Sequence, residues 1–188
     1  MNECKAIAFT GPSGSGKTTL IETIARTLAS QRQIAIIKHD PKDKAHFDQP
    51  GKDSDRFFRT GADVAVVSGT RTTLFSHRPS DLEVLIDALS PFDLLMVEGL
   101  KNWPLPRIAI FRGAIDPDYL PHIDAMAIDE TVDTDCCPFP RPIDVLDLND
   151  TRAIIDWIDR HALRVARPID TPSTTERESN ELQDNHTV

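Results

Sequence analysis

The sequence predicts an α/β fold, a mainly parallel sheet with helices on both faces. Three observations carry that reading. Short apolar runs alternate with segments of helical periodicity. A glycine-rich turn, Gly11–Gly16, joins the first apolar run to the first helical segment. The run Asp93–Glu98 is apolar throughout its middle, as in a strand buried on both faces, and ends in an acid.

Each element follows from local pattern. Lys5–Thr10 reads as a strand, and Lys17–Ser30 as a helix with Leu20, Ile21, Ile24, Ala25 and Leu28 at helical spacing. Gln33–Lys38 is a second strand. His39–Asp53, with Pro41, Pro50 and Gly51, is a loop of a length that often carries function. Ser54–Thr60 is a short helix closed by Gly61, with Asp53 and Ser54 as alternative N-caps. Val64–Ser68 and Thr73–Phe75 are strands. Ser80-Asp81-Leu82-Glu83 fits a capping box that opens a helix to about Leu89. Asp93–Glu98, Arg107–Phe111, Ala125–Asp129 and Ile143–Leu146 supply further strands. Asn149 or Asp150 can cap a last helix to about Leu163. Residues 1–167 read as one domain. Residues 168–188, rich in Thr, Ser, Glu, Asn and Asp, have little to bury and read as a disordered acidic tail.

The 188 residues carry 21 basic against 30 acidic side chains, a formal net charge of -9. That balance speaks against broad binding to nucleic acid or an anionic membrane, and leaves room for one small anion at a local site. No uninterrupted apolar run exceeds four residues, as in Leu94–Val97, so no membrane-spanning helix is expected. The N-terminus lacks a signal-peptide pattern, and three cysteines (Cys4, Cys136, Cys137) make no disulfide framework; a reducing cytoplasm is the expected setting. Adjacent Cys136 and Cys137 lack zinc-knuckle spacing, and His39 and His46 join a metal site only through folding that sequence does not show.

The strongest motif is Gly11-Pro12-Ser13-Gly14-Ser15-Gly16-Lys17-Thr18, which matches G-x-x-x-x-G-K-[ST] with a strand before and a helix after. Glycines let backbone N–H groups converge on phosphate oxygens, and the helix N-terminus adds its dipole. Lys17 supplies an ammonium for the β- and γ-phosphates, and Thr18 a hydroxyl for Mg²⁺. Glu98 leaves a strand at the edge where ligands bind in open α/β sheets, placed to hold Mg²⁺ through water or to orient an attacking water. A solvated acid before a turn would look the same in isolation. Lys17 and Glu98 are therefore the candidate catalytic residues. Gly11, Ser13, Gly14, Ser15, Gly16, Lys17, Thr18 and Thr19 are the candidate phosphate-binding set. Asp53 is either a second Mg²⁺-associated carboxylate or a helix cap. The fold expected is the P-loop NTPase three-layer sandwich.

Beyond the phosphate loop, Ile37-Lys38-His39-Asp40, Pro50-Gly51-Lys52-Asp53-Ser54, Arg59-Thr60-Gly61-Ala62, Leu95–Lys101 and Ile108–Arg112 resemble the molybdopterin-guanine dinucleotide biosynthesis adapter proteins, the MobB family. Val145–Asp150 matches more loosely. The resemblance covers about residues 4–163. It implies a GTP-binding, Mg²⁺-dependent protein with weak hydrolytic activity, dimeric, which assists a guanylyltransferase partner that attaches GMP to molybdopterin. Direct contact with molybdopterin is left open. Leu100 stands where the family often has an aromatic residue. No Asn-Lys-x-Asp motif reads guanine, and Asp129 is the candidate for guanine's N1 and N2 donors.

Two other readings share the loop. A small-molecule kinase needs cations over the transferred phosphoryl group, for which Arg56, Arg59 and Arg71 are available. A nickel-insertion GTPase has a very similar loop, but its Cys-Pro-His motif is absent, because Cys137-Pro138 runs into Phe139.

Overall fold

Seven strands form the central sheet. β1 (Cys4–Thr10) lies at its middle, flanked by β5 (Leu94–Glu98) and β6 (Arg107–Phe111). Outside these lie β2 (Ile34–Lys38) on one side, and β7 (Ala125–Ile128) and β8 (Asp144–Asp147) on the other, giving the order β2-β5-β1-β6-β7-β8 with every pairing parallel. The computed structural model describes residues 4–45, 48–100, 103–134, 139 and 141–165. The sequence-based expectations for His46, for Cys136 and Cys137, and for the acidic tail lie outside those residues.

Alternation along the strands explains the layers. Ile7 and Phe9 of β1 point to one face with Leu94 and Met96 of β5 and Ile108 and Ile110 of β6. Helices α1 (Lys17–Leu28) and α4 (Thr151–His161) cover that face through Leu20, Ile21, Ile24, Ile154, Trp157 and Ile158. Ala6, Ala8, Leu95 and Val97 point the opposite way. There α3 (Leu82–Leu89) supplies Ile86, while a 3₁₀ segment, Pro117–His122, covers Phe111 and Met126 with Leu120. Burial on both faces is why these strands read as apolar runs rather than as alternating ones. The three layers match the expected α/β sandwich.

Two ties fix the far end of α4. Trp157 Nε1 donates to Asp144 at 2.7 Å, and Arg32 makes a two-pronged pair with Asp159 at 2.6 and 2.7 Å. The Arg32 guanidinium beside Asp159 holds that carboxyl below the usual carboxylate range. Outside the main sheet, α2 (Asp53–Phe58) leads into a two-stranded antiparallel hairpin of β3 (Val64–Val67) and β4 (Thr72–Phe75).

Three expectations are corrected and one open choice is resolved. The last helix ends at His161, and Leu163–Val165 forms β9, antiparallel to Cys4–Ala6. Three residues are too few to show a period, so their pairing comes from the free side of β1 below β6. The capping box at Ser80 is absent: α3 begins one residue later, with Asp81 as its N-cap and no side-chain cap bond. Neither Asp53 nor Ser54 caps α2, whose N-cap is Lys52, without a side-chain bond. Of the two choices for α4, Asp150 is the cap, accepting from Ala153 N–H at 2.9 Å.

Candidate functional site

All the parallel strands of the sheet end at the same edge, so their C-terminal loops share one rim. Chain order reverses between β5 and β6 on either side of β1, and the loop after β1 sits at that switch point. This loop is Gly11–Gly16. Three of its backbone positions demand glycine: Gly11, Gly14 and Gly16 have φ of 134°, 77° and 99°. Gly11 also lies against β6 so closely that a Cβ there would stand 2.4 Å from the Ile110 carbonyl oxygen.

Lys17 opens α1 and folds back over the loop. Its ammonium donates to the Gly11 carbonyl at 3.0 Å and to the Pro12 carbonyl at 2.6 Å. Burial pushes the Lys17 ammonium below its ordinary pKa, nearby Glu98 opposes that, and Lys38 adds to it. Ser15 is buried, and its Oγ has no hydrogen-bond partner among the described side chains. Ser13, Gly14, Thr18 and Thr19 are exposed along the loop and the first turn of α1.

Glu98 ends β5, next to β1 in register with Phe9. Its carboxylate is 15% exposed and lies 3.7 Å from Lys38 Nζ, which extends from the end of β2. Gly99 follows with φ 91°, and its N–H donates to the Phe9 carbonyl at 3.0 Å. Its missing side chain leaves room for His39, whose Cβ would be 3.1 Å from a Cβ at Gly99. Lys17, Glu98, Thr10 and Gly11 line one cavity of about 590 Å³ with His39, Trp103 and Tyr119. Arg107, only 2% exposed, closes the wall behind it. Its guanidinium donates to the carbonyls of Gly99, Leu100 and Trp103 at 3.4, 3.3 and 2.9 Å, binding the β5–β6 crossover.

A second groove, of about 200 Å³, opens on the opposite side of the loop. It is lined by Gly16, Thr19, Leu20, Arg112, Leu148, Asn149 and Thr151. Asp129 is behind it, with a side chain 6% exposed. The Asp129 carboxylate accepts from both the hydroxyl and the N–H of Thr131 and lies 3.1 Å from Arg112 Nη1. The Thr131 hydroxyl holds its carboxyl below the ordinary range against the effect of burial, helped by the Thr131 N–H and by Arg112. In the sequence Arg112 is marked only as the last residue of the family-like run Ile108–Arg112, with no site role attached to it.

Asp53 stands apart from this assembly. It is on α2 with its side chain 85% exposed, its carboxylate is 3.8 Å from Arg56, and it does not line the cavity that holds Lys17 and Glu98. The structure thus brings together Gly11, Lys17 and Glu98 on one side, and Gly16 and Thr19 on the other.

The donor set fits an Mg²⁺–nucleotide. The glycine cradle would be filled by a Cβ at Gly11, the Ser15 hydroxyl is orphaned, and a lysine ammonium rests on loop carbonyls rather than on a carboxylate. Among the described residues, no group of three or more His, Cys, Asp or Glu side chains is placed to hold a metal. Mg²⁺ suits such a site, since it keeps waters and takes one or two protein ligands together with phosphate oxygens.

Fold and loop together define a protein of the P-loop NTPase-like class. The family model for MobB, molybdopterin guanine dinucleotide synthesis protein B, matches residues 6–129. The molybdopterin-guanine dinucleotide biosynthesis adapter protein of Escherichia coli K12 is 31% identical over 165 residues, spanning 81% of this chain and 90% of that protein. The adapter protein of the same description from Haemophilus influenzae is 33% identical over 168 residues, spanning 84% and 89%. The chain belongs to the MobB family. The fold agrees: the structure of Bacillus subtilis MobB superposes with a TM-score of 0.62 at 21% identity, covering 84% of this chain and 97% of that one. A MobB homologue from Bacillus stearothermophilus gives 0.58 at 22% identity, covering 85% and 97%. Among the described residues no helix is long and apolar enough to cross a membrane.

Proposed function

We propose that this chain is a GTP-binding adapter of molybdenum cofactor biosynthesis, acting in the cytoplasm beside a guanylyltransferase that joins GMP to molybdopterin. One observation carries the nucleotide part: the Lys17 ammonium, held over the glycine cradle by Gly11 and Pro12 carbonyls, faces the same cavity as Glu98. Phosphate oxygens arriving in the cradle exchange with those two carbonyls as partners of Lys17, and the N–H groups of the loop and the α1 dipole add to the attraction. Thr18 and Glu98 are the residues that would hold Mg²⁺, which would supply neutralising charge to the bound phosphates. The adapter role rests on family membership and on the names of the E. coli and H. influenzae relatives.

Hydrolysis is slow in this reading. Among the described residues Glu98 is the one carboxylate that lines the cavity, and it already faces Lys38 at 3.7 Å. A kinase is disfavoured by the placement of its arginines. Arg56 and Arg59 pair with Asp53 and Asp55 on α2, and neither they nor Arg71 line the cavity. The protein acts as a homodimer, and the exposed apolar side chains Phe57, Val67 and Leu74 around the β3–β4 hairpin fit a surface covered by a second copy.

Co-precipitation tests the partner assignment. The guanylyltransferase of the same organism should be retained by the immobilised chain with Mg²⁺ and a non-hydrolysable GTP analogue. Equal retention by Lys17→Ala would separate partner binding from the nucleotide site and remove this mechanism.

A further inference from the structure

The groove that begins at Gly16 and Thr19 extends away from the cavity of Lys17 and Glu98, and it is built around an arginine. Arg112 follows β6 directly, so the parallel pairing of β6 with β1 delivers it to the end of the phosphate loop. Its guanidinium lies across Gly16: a Cβ on that glycine would stand 3.3 Å from Nε, 3.7 Å from Nη2 and 3.9 Å from Cζ. The opposite edge of the group is held by Asp129, 3.1 Å from Nη1. Thr131 completes the fixture, since its hydroxyl donates to Asp129 and accepts from Gly113 N–H at 2.8 Å. Arg112 is thus pinned through its guanidinium and through the backbone of the next residue.

We infer that Arg112 is the residue that contacts the nucleoside half of the bound nucleotide, that the groove takes a purine ring, and that Asp129 is a positioning residue acting through Arg112. This deepens the nucleotide-binding reading and rests on it. Phosphates held by Gly11–Lys17 leave the rest of the nucleotide to emerge past Gly16 and Thr19, and the groove begins at those two residues. Its walls match a purine. Leu20 and Leu148 give apolar surface, Asn149 and Thr151 give neutral donors and acceptors, and the planar guanidinium, half exposed, gives a flat cationic face. Arginine stacks on aromatic rings through that face while its edge donors stay with a carboxylate. Buried and already engaged, the Asp129 carboxylate does not line the groove.

Calorimetric titration of the full chain with Mg²⁺–GTP and with Mg²⁺–tripolyphosphate tests this, since the second probe has no nucleoside. Arg112→Ala should weaken GTP binding about tenfold, the scale of a desolvated cation–ring contact, and change tripolyphosphate binding no more than about twofold. Asp129→Asn should weaken GTP binding in wild-type protein and have no further effect in the Arg112→Ala background, because a positioning residue has nothing left to position. Should Arg112→Ala fail to fold, Arg112→Lys carries the same test, keeping the charge but not the plane. Wild-type GTP affinity in Arg112→Ala, alongside its loss in Lys17→Ala, overturns the assignment of Arg112 alone. Undiminished GTP affinity in Lys17→Ala overturns the phosphate-loop reading beneath it. Additive losses in the double variant overturn the role of Asp129.

Discussion

Replacing Gly11 by alanine tests the packing of the phosphate loop against β6. Two costs add. A φ of 134° lies where L-residues are strained, at about 1–3 kcal/mol. The new Cβ would also stand 2.4 Å from the Ile110 carbonyl oxygen and 3.2 Å from the Ile110 nitrogen. Ile110 is a fully buried central-sheet residue and cannot step aside, so the loop must move outward by nearly an ångström, an overpacking cost of about 1–3 kcal/mol. The sum is about 4 kcal/mol, a large share of the ~5–15 kcal/mol that holds a domain folded. Gly14 is the internal control. Its φ is 77°, but a Cβ there meets nothing within 4 Å, so Gly14→Ala should cost only about 1–2 kcal/mol. Urea unfolding followed by tryptophan fluorescence gives both values, and titration with Mg²⁺–GTP gives loop function. The expected order is a much lower midpoint and lost binding for Gly11→Ala, and a small stability loss for Gly14→Ala. Equal midpoints for the two variants would refute the claim that the loop is pressed onto β6.

Other outcomes follow from the same geometry. Glu98→Gln should retain GTP binding and lose Mg²⁺-dependent phosphate release, as read by single-turnover hydrolysis; wild-type turnover would exclude Glu98 from the metal site. Arg107→Met should destabilise by about 2–4 kcal/mol in a denaturant melt, because the carbonyls of Gly99, Leu100 and Trp103 lose a shared buried donor; a change under 1 kcal/mol would show that the crossover holds without it. Asp159 has a folded-state pKa below its unfolded value of about 3.9, so the stability it adds is present above that pH and is lost as pH falls through the lower, folded value. Asp159→Asn should therefore lower the melting temperature near pH 7 and flatten its acid dependence below about pH 4. An acid limb of unchanged slope would assign that dependence to other carboxylates.

Much of the fold was legible because its signals are local. The phosphate loop, the buried strand ending in Glu98 and the helix cap at Asp150 are each set by a few adjacent residues. Other features depend on strand order. Arg112 reaches Gly16 only because β6 pairs with β1, and Asp129 reaches Arg112 only because β7 pairs with β6. Nothing within either segment records that neighbourhood. Arg107 was hidden for a related reason: as the first residue of a strand it looks solvent-facing, yet its side chain turns back to bind the crossover that precedes it. Asp53 shows the opposite case. Its surrounding motif is a strong family signal, while its carboxylate lies at the surface beside Arg56, away from the cavity that holds Lys17 and Glu98.

The central claim is that one loop, with Mg²⁺, binds GTP. Calorimetry of the full chain with Mg²⁺–GTP, with Mg²⁺–ATP as competitor and with Lys17→Ala alongside, tests it most directly. Saturable binding of one GTP per chain, weaker binding of ATP, and loss of the signal in Lys17→Ala are predicted. No heat with GTP, a preference for ATP, or binding that survives in Lys17→Ala would contradict the account.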